Sequence, residues 1–277
     1  MIIRTKSFCP AGLAIILLCA ASPVFAATET VVHTFGPSGS GDSGFPIDPM
    51  VRDSSGNLYG TGDGGAHGSG AIFKVTPSGS YSIIYSFCAV APSCADGSFP
   101  GPLLYAPDGN LYGTTAGGGP GDDGVVFRMT TSGALTVLYS FGTARRGAGF
   151  NAQGLALGLD GNFYGVTESG GVHSEGMIYQ LTPSGQFTEL FSFAALSRQF
   201  TNATGALPEC PLVLGPDGNF YGTTNLGGTQ GLGVIFKITP SGRFTVLKDF
   251  TNSTGGNPYA PLVVGPEHLL TRNQMIE

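Results

Sequence analysis

The side chains able to do chemistry in this 277-residue chain gather in a few glycine-rich stretches. His67 and His173 each stand two positions after a Gly-Gly pair, with Asp63, Asp122, Asp123, Glu168 and Glu175 in the same kind of stretch. Imidazoles and carboxylates are the groups of acid–base catalysis, metal ligation and polar ligand binding. Aligned stretches carry Gly121 and Gln230 where the histidines stand, so a structural or ligand-binding role is favoured over a metal site. Arg145, Arg146 and Arg198 are scarce positive charges suited to an acidic saccharide. Asp122 and Asp123, or Asp42 and Asp96, leave a weak possibility of calcium, with loop capping the favoured role. No His-Glu-x-x-His, Asp-x-Asp-x-Asp-Gly or Gly-x-Ser-x-Gly pattern occurs, and no Gly-Lys-Ser/Thr follows the glycine loops. The ligand-binding candidates are therefore His67, His173, Asp63, Asp122, Asp123, Glu168, Arg145 and Arg146, with no catalytic set, no metal site and no resident cofactor.

Composition narrows the partners. Charged residues make up 11% and the net charge is -6, so a basic surface for nucleic acid lacks its raw material. Residues 1–26 read as a secretory signal: Arg4 and Lys6, an apolar run over 13–20, and Val24-Phe25-Ala26 as the cleavage site. The run is shorter than the ~20 residues that span a bilayer. A secreted, periplasmic or cell-surface protein with no transmembrane segment after cleavage is expected. Export also permits Cys88 and Cys94 to form a disulfide, while Cys210 reads as a small buried apolar residue.

A repeat organises the rest. Gly56-Asn57-Leu58-Tyr59-Gly60-Thr61 recurs from Gly109, Gly161 and Gly218, at steps of 53, 52 and 57 residues. Each copy is followed by a block such as Ala71-Ile72-Phe73-Lys74-Val75-Thr76-Pro77-Ser78-Gly79 and then by a run ending in Phe, at 87, 141, 193 and 250, and one further run, over 30–35, ends in Phe35 ahead of the first copy. A fourth run, as in Pro211-Leu212-Val213-Leu214-Gly215-Pro216-Asp217-Gly218, precedes each Gly-Asn block. The runs are short, rich in Val, Ile, Phe, Tyr and Thr, and bounded by Asp-Gly and Ser-Gly turns, so they read as strands a, b, c and d. Adjacent Phe220 and Tyr221 must point to opposite faces, which predicts a sheet covered on both sides.

The expected fold is all-β, a β-propeller of four-stranded antiparallel blades with four complete repeats and partial end strands. The repeat domain is read over 27–265, with units near 46–98, 99–151, 152–204 and 208–260, a partial fifth from 261, and an off-register tail over 266–277. That tail lacks Asp-Gly-Asn, so strands b and c of the fifth unit are not expected; a truncated or frame-shifted longer array would explain it. Alternation places the a–b and c–d turns on one face and the long b–c and d–a connections on the other. A binding site is expected on the long-loop face.

The repeated blocks, Gly-Asn-Leu/Phe-Tyr-Gly-Thr-Thr, the Gly-Gly loop, Val-Ile-Phe-Lys-Ile-Thr-Pro-Ser-Gly and Val-Leu-Tyr-Ser-Phe, resemble the GloVer tandem repeat of bacterial proteins over about residues 30–265. The resemblance implies exported, often surface-anchored repeat proteins and carries no catalytic residues onto this chain. Unit three departs from the pattern, with Gly154 in place of Pro and Val166 in place of Thr. The expected function is a cell-surface or extracellular binding or scaffold module for a glycan or protein, more readily than an enzyme. The rivals are a secreted carbohydrate-active lyase or hydrolase and a structural envelope protein.

Overall fold

In the computed structural model, described for residues 31–36, 41–46, 48–90, 94–142, 149–265 and 270–272, every regular element is a strand. The signal read over 1–26 lies outside the described residues, as do Arg145 and Arg146. Each repeat folds as an antiparallel sheet in the order a-b-c-d. The first comprises β1 (Val51–Arg52), β2 (Leu58–Gly62), β3 (Ala71–Val75) and β4 (Tyr81–Ser86). In the second, strand a is split into β5 (Ser98–Pro100) and β6 (Leu104–Tyr105), both pairing β7 (Asn110–Gly117), followed by β8 (Val125–Thr130) and β9 (Leu135–Ser140).

The third sheet holds β10 (Phe150–Leu157), β11 (Phe163–Ser169), β12 (Met177–Leu181) and β13 (Phe187–Ser192). In the fourth, strands a and b are both interrupted. β15 (Val213–Leu214), β16 (Phe220–Thr223), β18 (Val234–Ile238) and β19 (Phe244–Asp249) form the sheet, while β14 (Asn202–Ala206) pairs β17 (Leu226–Gly228). Pro102 and Pro211 interrupt strand a in the second and fourth sheets, because proline has no N–H for the ladder. At the matching place Gly154 takes a φ of +82°, closed to proline, and β10 runs on through a bulge between Ala152 and Leu155.

Two expectations about the ends need correction. The N-terminal strand d read over 30–35 is not formed by its described residues 31–35, although Phe35 takes the place of the strand-d phenylalanines. Its ring lies 5.4 Å from Phe73, as Phe87, Phe141 and Phe193 lie 5.4, 5.5 and 5.7 Å from Phe127, Tyr179 and Phe236. The off-register tail, for its part, supplies a strand: β20 (Leu262–Val264) pairs with β21 (Leu270–Arg272). Backbone pairing needs no Asp-Gly-Asn turn, which is why the sequence pattern missed it.

The repeated motif is explained by how it packs. Leu or Phe of strand b faces the preceding sheet and the adjacent Tyr faces the following one. Tyr112 therefore meets Phe163 at 4.3 Å and Tyr164 meets Phe220 at 4.0 Å, ring to ring. Tyr59, Tyr112 and Tyr164 are buried, whereas Tyr221, on strand β16 where the fourth sheet meets the short strand β20, is half-buried. The glycine after each Tyr makes room for an aromatic ring of strand c: Gly60 pairs Phe73, Gly113 Phe127, Gly165 Tyr179 and Gly222 Phe236.

The same tyrosines lock the a–b turns. Asp108 accepts hydrogen bonds from Asn110 Nδ2 and Tyr112 OH, both at 2.8 Å. Asp160 and Asp217 repeat the arrangement with Asn162 and Tyr164, and with Asn219 and Tyr221. The first repeat lacks the Asp-Gly pair, yet Asp53, six residues before Tyr59, reaches the same two partners. Burial alone would raise the carboxyls of Asp53, Asp108 and Asp160, and the Asn and Tyr hydrogen bonds reverse it; at Asp217 the Asn219 bond leads. All four are lowered. Burial, then the adjacent carboxylate, pushes the Tyr59, Tyr112 and Tyr164 phenols up to about 12.

The stability that these locks contribute is thus bounded on both sides. A lowered carboxyl contributes above its unfolded pKa of ~3.9 and loses that contribution as pH falls through the folded value. A raised phenol contributes fully below pH ~10 and loses that contribution as pH rises through about 12. Urea unfolding across pH is expected to weaken at both limbs, with Asp160→Asn flattening the acid limb; an unchanged acid limb would contradict the lock.

Candidate functional site

Long connections start where strand b ends, and the residue three positions past each Gly-Asn-Leu/Phe-Tyr-Gly block differs from copy to copy. Counting seven residues on from the first glycine of each block gives Asp63, Ala116, Glu168 and Asn225, while the Tyr-Gly framework before them is constant. Asp63 and Ala116 line one cavity of about 250 Å³, together with Asp48, Thr61, Phe99, Asn151 and Gln153. Its walls come from strands a and b of the first three sheets and the residues flanking them, at the end where the b–c connections leave. The sheets converge there: Thr114 Oγ1 of β7 donates to the Ala152 carbonyl of β10 at 2.9 Å and accepts from Gly154 N at 2.9 Å.

Polar groups run on from this cavity. Thr61 Oγ1 donates to Asp48 Oδ2 at 3.2 Å, and Phe45 N donates to Asp63 Oδ1 at 2.8 Å. Asn151 Nδ2 donates to Glu168 Oε2. Gln153 Nε2 donates to the Asn151 carbonyl at 3.3 Å. Beyond Glu168, Asn225 Nδ2 donates to Glu209 Oε2 at 3.3 Å, and Asn257 Nδ2 to the Asn225 carbonyl at 2.9 Å. Burial raises the Asp48 carboxyl; burial and then the nearby Glu168 charge raise that of Glu209. Phe99, with a φ of +55°, is 54% exposed at the cavity wall.

Of the residues singled out in the sequence, Asp63 lines the cavity and Glu168 is hydrogen-bonded to its wall. His67 and His173 are exposed in their b–c loops, outside that wall. Asp122 is exposed and accepts from Gly118 N at 2.9 Å within its own loop. Asp123 is half-buried in the same loop. No group of three or more His, Cys, Asp or Glu placed to hold a metal exists among the described residues. Asp96 accepts from Tyr85 OH, Ala89 N and Val90 N, and Asp42 from His33, Gly36 N, Ser43 N and Tyr81 OH. These two carboxylates each fold a d–a connection back onto an aromatic side chain.

Asp48, Asn151, Gln153 and Glu209 were missed. The signal that finds them is register: they sit just ahead of the strand-a turn marked by Pro49, Gly154 and Pro211. Cys88 and Cys94 are joined by a disulfide, and Cys94 O accepts from Gly97 N and Gly119 N. Closing so small a ring stabilises by about 2 kcal/mol in the chain-entropy picture, so replacing both cysteines with alanine is expected to lower unfolding free energy by no more than that. Urea titration checks it. Cys210 is buried, and burial raises its thiol to about 11, which leaves it inert as a nucleophile near neutral pH.

The Gloeobacter/Verrucomicrobia repeat profile matches residues 50–271. The chain belongs to that family. The resemblance drawn from the recurring blocks is thereby confirmed, and the structural neighbours are β-propeller-like repeat proteins. One is the extracellular domain assigned to a hybrid two-component system of B. thetaiotaomicron, with 13% identity and a TM-score of 0.54 over 83% of this chain and 26% of that one. The chain thus spans about a quarter of that domain. Streptogramin B lyase matches with 13% identity and a TM-score of 0.45 over 85% of both chains. The tricorn protease matches with 13% identity and a TM-score of 0.47 over 78% of this chain and 21% of that one. At such identities the likeness concerns fold alone. No curated protein matches the chain. No helix among the described residues is long and apolar enough to cross a membrane.

Proposed function

We propose that the four sheets are blades of a β-propeller, and that this exported repeat protein binds an extracellular or cell-surface partner through its long-loop face. One observation carries the reading. The framework residues of the repeat are constant, whereas the residues at the end of strand b vary, and two of those positions line a cavity. In repeat proteins the face that varies between units is the one that meets a partner. The signal-like residues 1–26 and the fold shared with an extracellular domain are compatible with export.

Site-directed blocking tests the face. Val172 is 75% exposed in a b–c loop and Leu159 is 84% exposed in an a–b turn. Each is replaced by cysteine and coupled to a bulky polyethylene glycol. Label at Val172 is expected to abolish association with the producing cell's envelope fraction and label at Leu159 to spare it; equal effects would overturn the assignment. The enzyme reading, a secreted carbohydrate-active lyase or hydrolase, rests on the acids of the same face, with Glu168 hydrogen-bonded to Asn151 and Glu209 to Asn225. It requires release of reducing ends from a glycan, lost in Glu209→Gln.

A further inference from the structure

The cavity lined by the first three sheets has a chemistry of its own. Its volume of about 250 Å³ is below the ~300–1,000 Å³ of pockets for drug-sized ligands, and suits one ring-sized group at the end of a longer molecule. Phe99, Pro100 and Pro102 supply apolar wall, and Phe99 leaves 54% of its surface in solvent. A large exposed aromatic beside a hollow is a platform that lacks an apolar partner face.

The polar lining is biased toward acceptors. Asn151 Nδ2 gives one of its two N–H groups to Glu168 and Gln153 Nε2 one of its two to the Asn151 carbonyl, while both amide oxygens are uncommitted by these bonds and outnumber, with the Asp48 carboxylate, the donors that remain. Thr61 spends its hydroxyl proton on Asp48. A ligand matching this lining must bring several donors and one apolar face. Hydroxyl groups spaced around a sugar ring are such donors, and the C–H face of the ring is the apolar surface that stacks on an aromatic. A bare metal ion brings no apolar face, and the described carboxylates form no metal-holding group.

We infer that this cavity receives the terminal ring of a neutral saccharide, stacked on Phe99 with its hydroxyls donating to Asp48, Asn151 and Gln153. The inference rests on the binding-module reading and names the ligand class at the same face. Variation at Asp63 and Ala116 then sets which sugar is accepted, since these positions stand on the wall while the stacking framework is unchanged.

The test applies the full chain to an array of neutral, acidic and amine-bearing oligosaccharides and of basic peptides, followed by calorimetric titration of each hit against Phe99→Ala, Gln153→Ala and the control Leu159→Ala on the opposite face. The expected result is retention of a neutral oligosaccharide, weakened at least tenfold by Phe99→Ala and by Gln153→Ala. Melting temperature should stay unchanged, because Phe99 is exposed and Gln153 only half-buried. Three outcomes overturn the inference. Capture of basic peptides or amines alone, with the same variants affected, leaves a binding module of different specificity. A neutral glycan bound equally by both variants places its site elsewhere. Retention of nothing on the array removes the saccharide, and the envelope-fraction test at Val172 and Leu159 then decides separately whether the face binds at all.

Discussion

Tyr164→Ala is expected to lower the unfolding free energy by about 3–5 kcal/mol, the range for removing a fully buried aromatic. Tyr164 is 0% exposed, its ring stacks on Phe220 at 4.0 Å, and its hydroxyl ties strand b to Asp160 and Gln180. Truncation opens a void between the third and fourth sheets and leaves the turn carboxylate without its phenol. Tyr221→Ala removes the same residue of the same motif where it is half-buried and no four-stranded sheet follows among the described residues, and should cost clearly less. Urea unfolding of the two variants side by side decides the matter. Equal losses would mean that the tyrosines stabilise their own hairpins and not the contact between sheets.

Gly113→Ala should be nearly as damaging, for a steric reason. A Cβ at Gly113 would stand 2.6 Å from Phe127 Cζ and 3.2 Å from Leu103 Cδ2. Both neighbours are buried, so neither can swing away, and overpacking of this kind costs typically 1–3 kcal/mol, sometimes more. Gly161→Ala is the matched control: at a φ of +79° with nothing within 4 Å of the added carbon, it meets backbone strain alone. A melting temperature lowered more by Gly161→Ala than by Gly113→Ala would contradict the role given to the strand-b glycine.

The strand pattern and the turns were legible because they are local. Alternation of Phe and Tyr along strand b, Asp-Gly at the a–b turn and Ser-Gly at the c–d turn each act over two to six residues, and four copies reinforce one another. The locking of Tyr59 by Asp53 shows where such reading stops: the aspartate sits at a different offset from its copies, and only the folded turn brings it to the same two partners. The site was half legible for the same reason. Asp63 and Glu168 were flagged as acids in glycine loops, but their common address at the end of strand b is a matter of register between distant copies. Asp48, Asn151 and Gln153 carry no motif at all; they become neighbours of Asp63 because residues from three sheets line one cavity. His67 and His173 drew attention as rare imidazoles, yet they are exposed in the loops and stand outside its wall.

The stacking of successive sheets is what gathers those distant residues, and a double-mutant cycle on Tyr164 and Phe220 measures it most directly. With Tyr164→Leu, Phe220→Leu and the pair compared by urea unfolding, the account predicts a coupling of about 0.5–1.5 kcal/mol, the range for an aromatic pair in contact. Losses that add to within about 0.3 kcal/mol, the behaviour of independent sites, would contradict it.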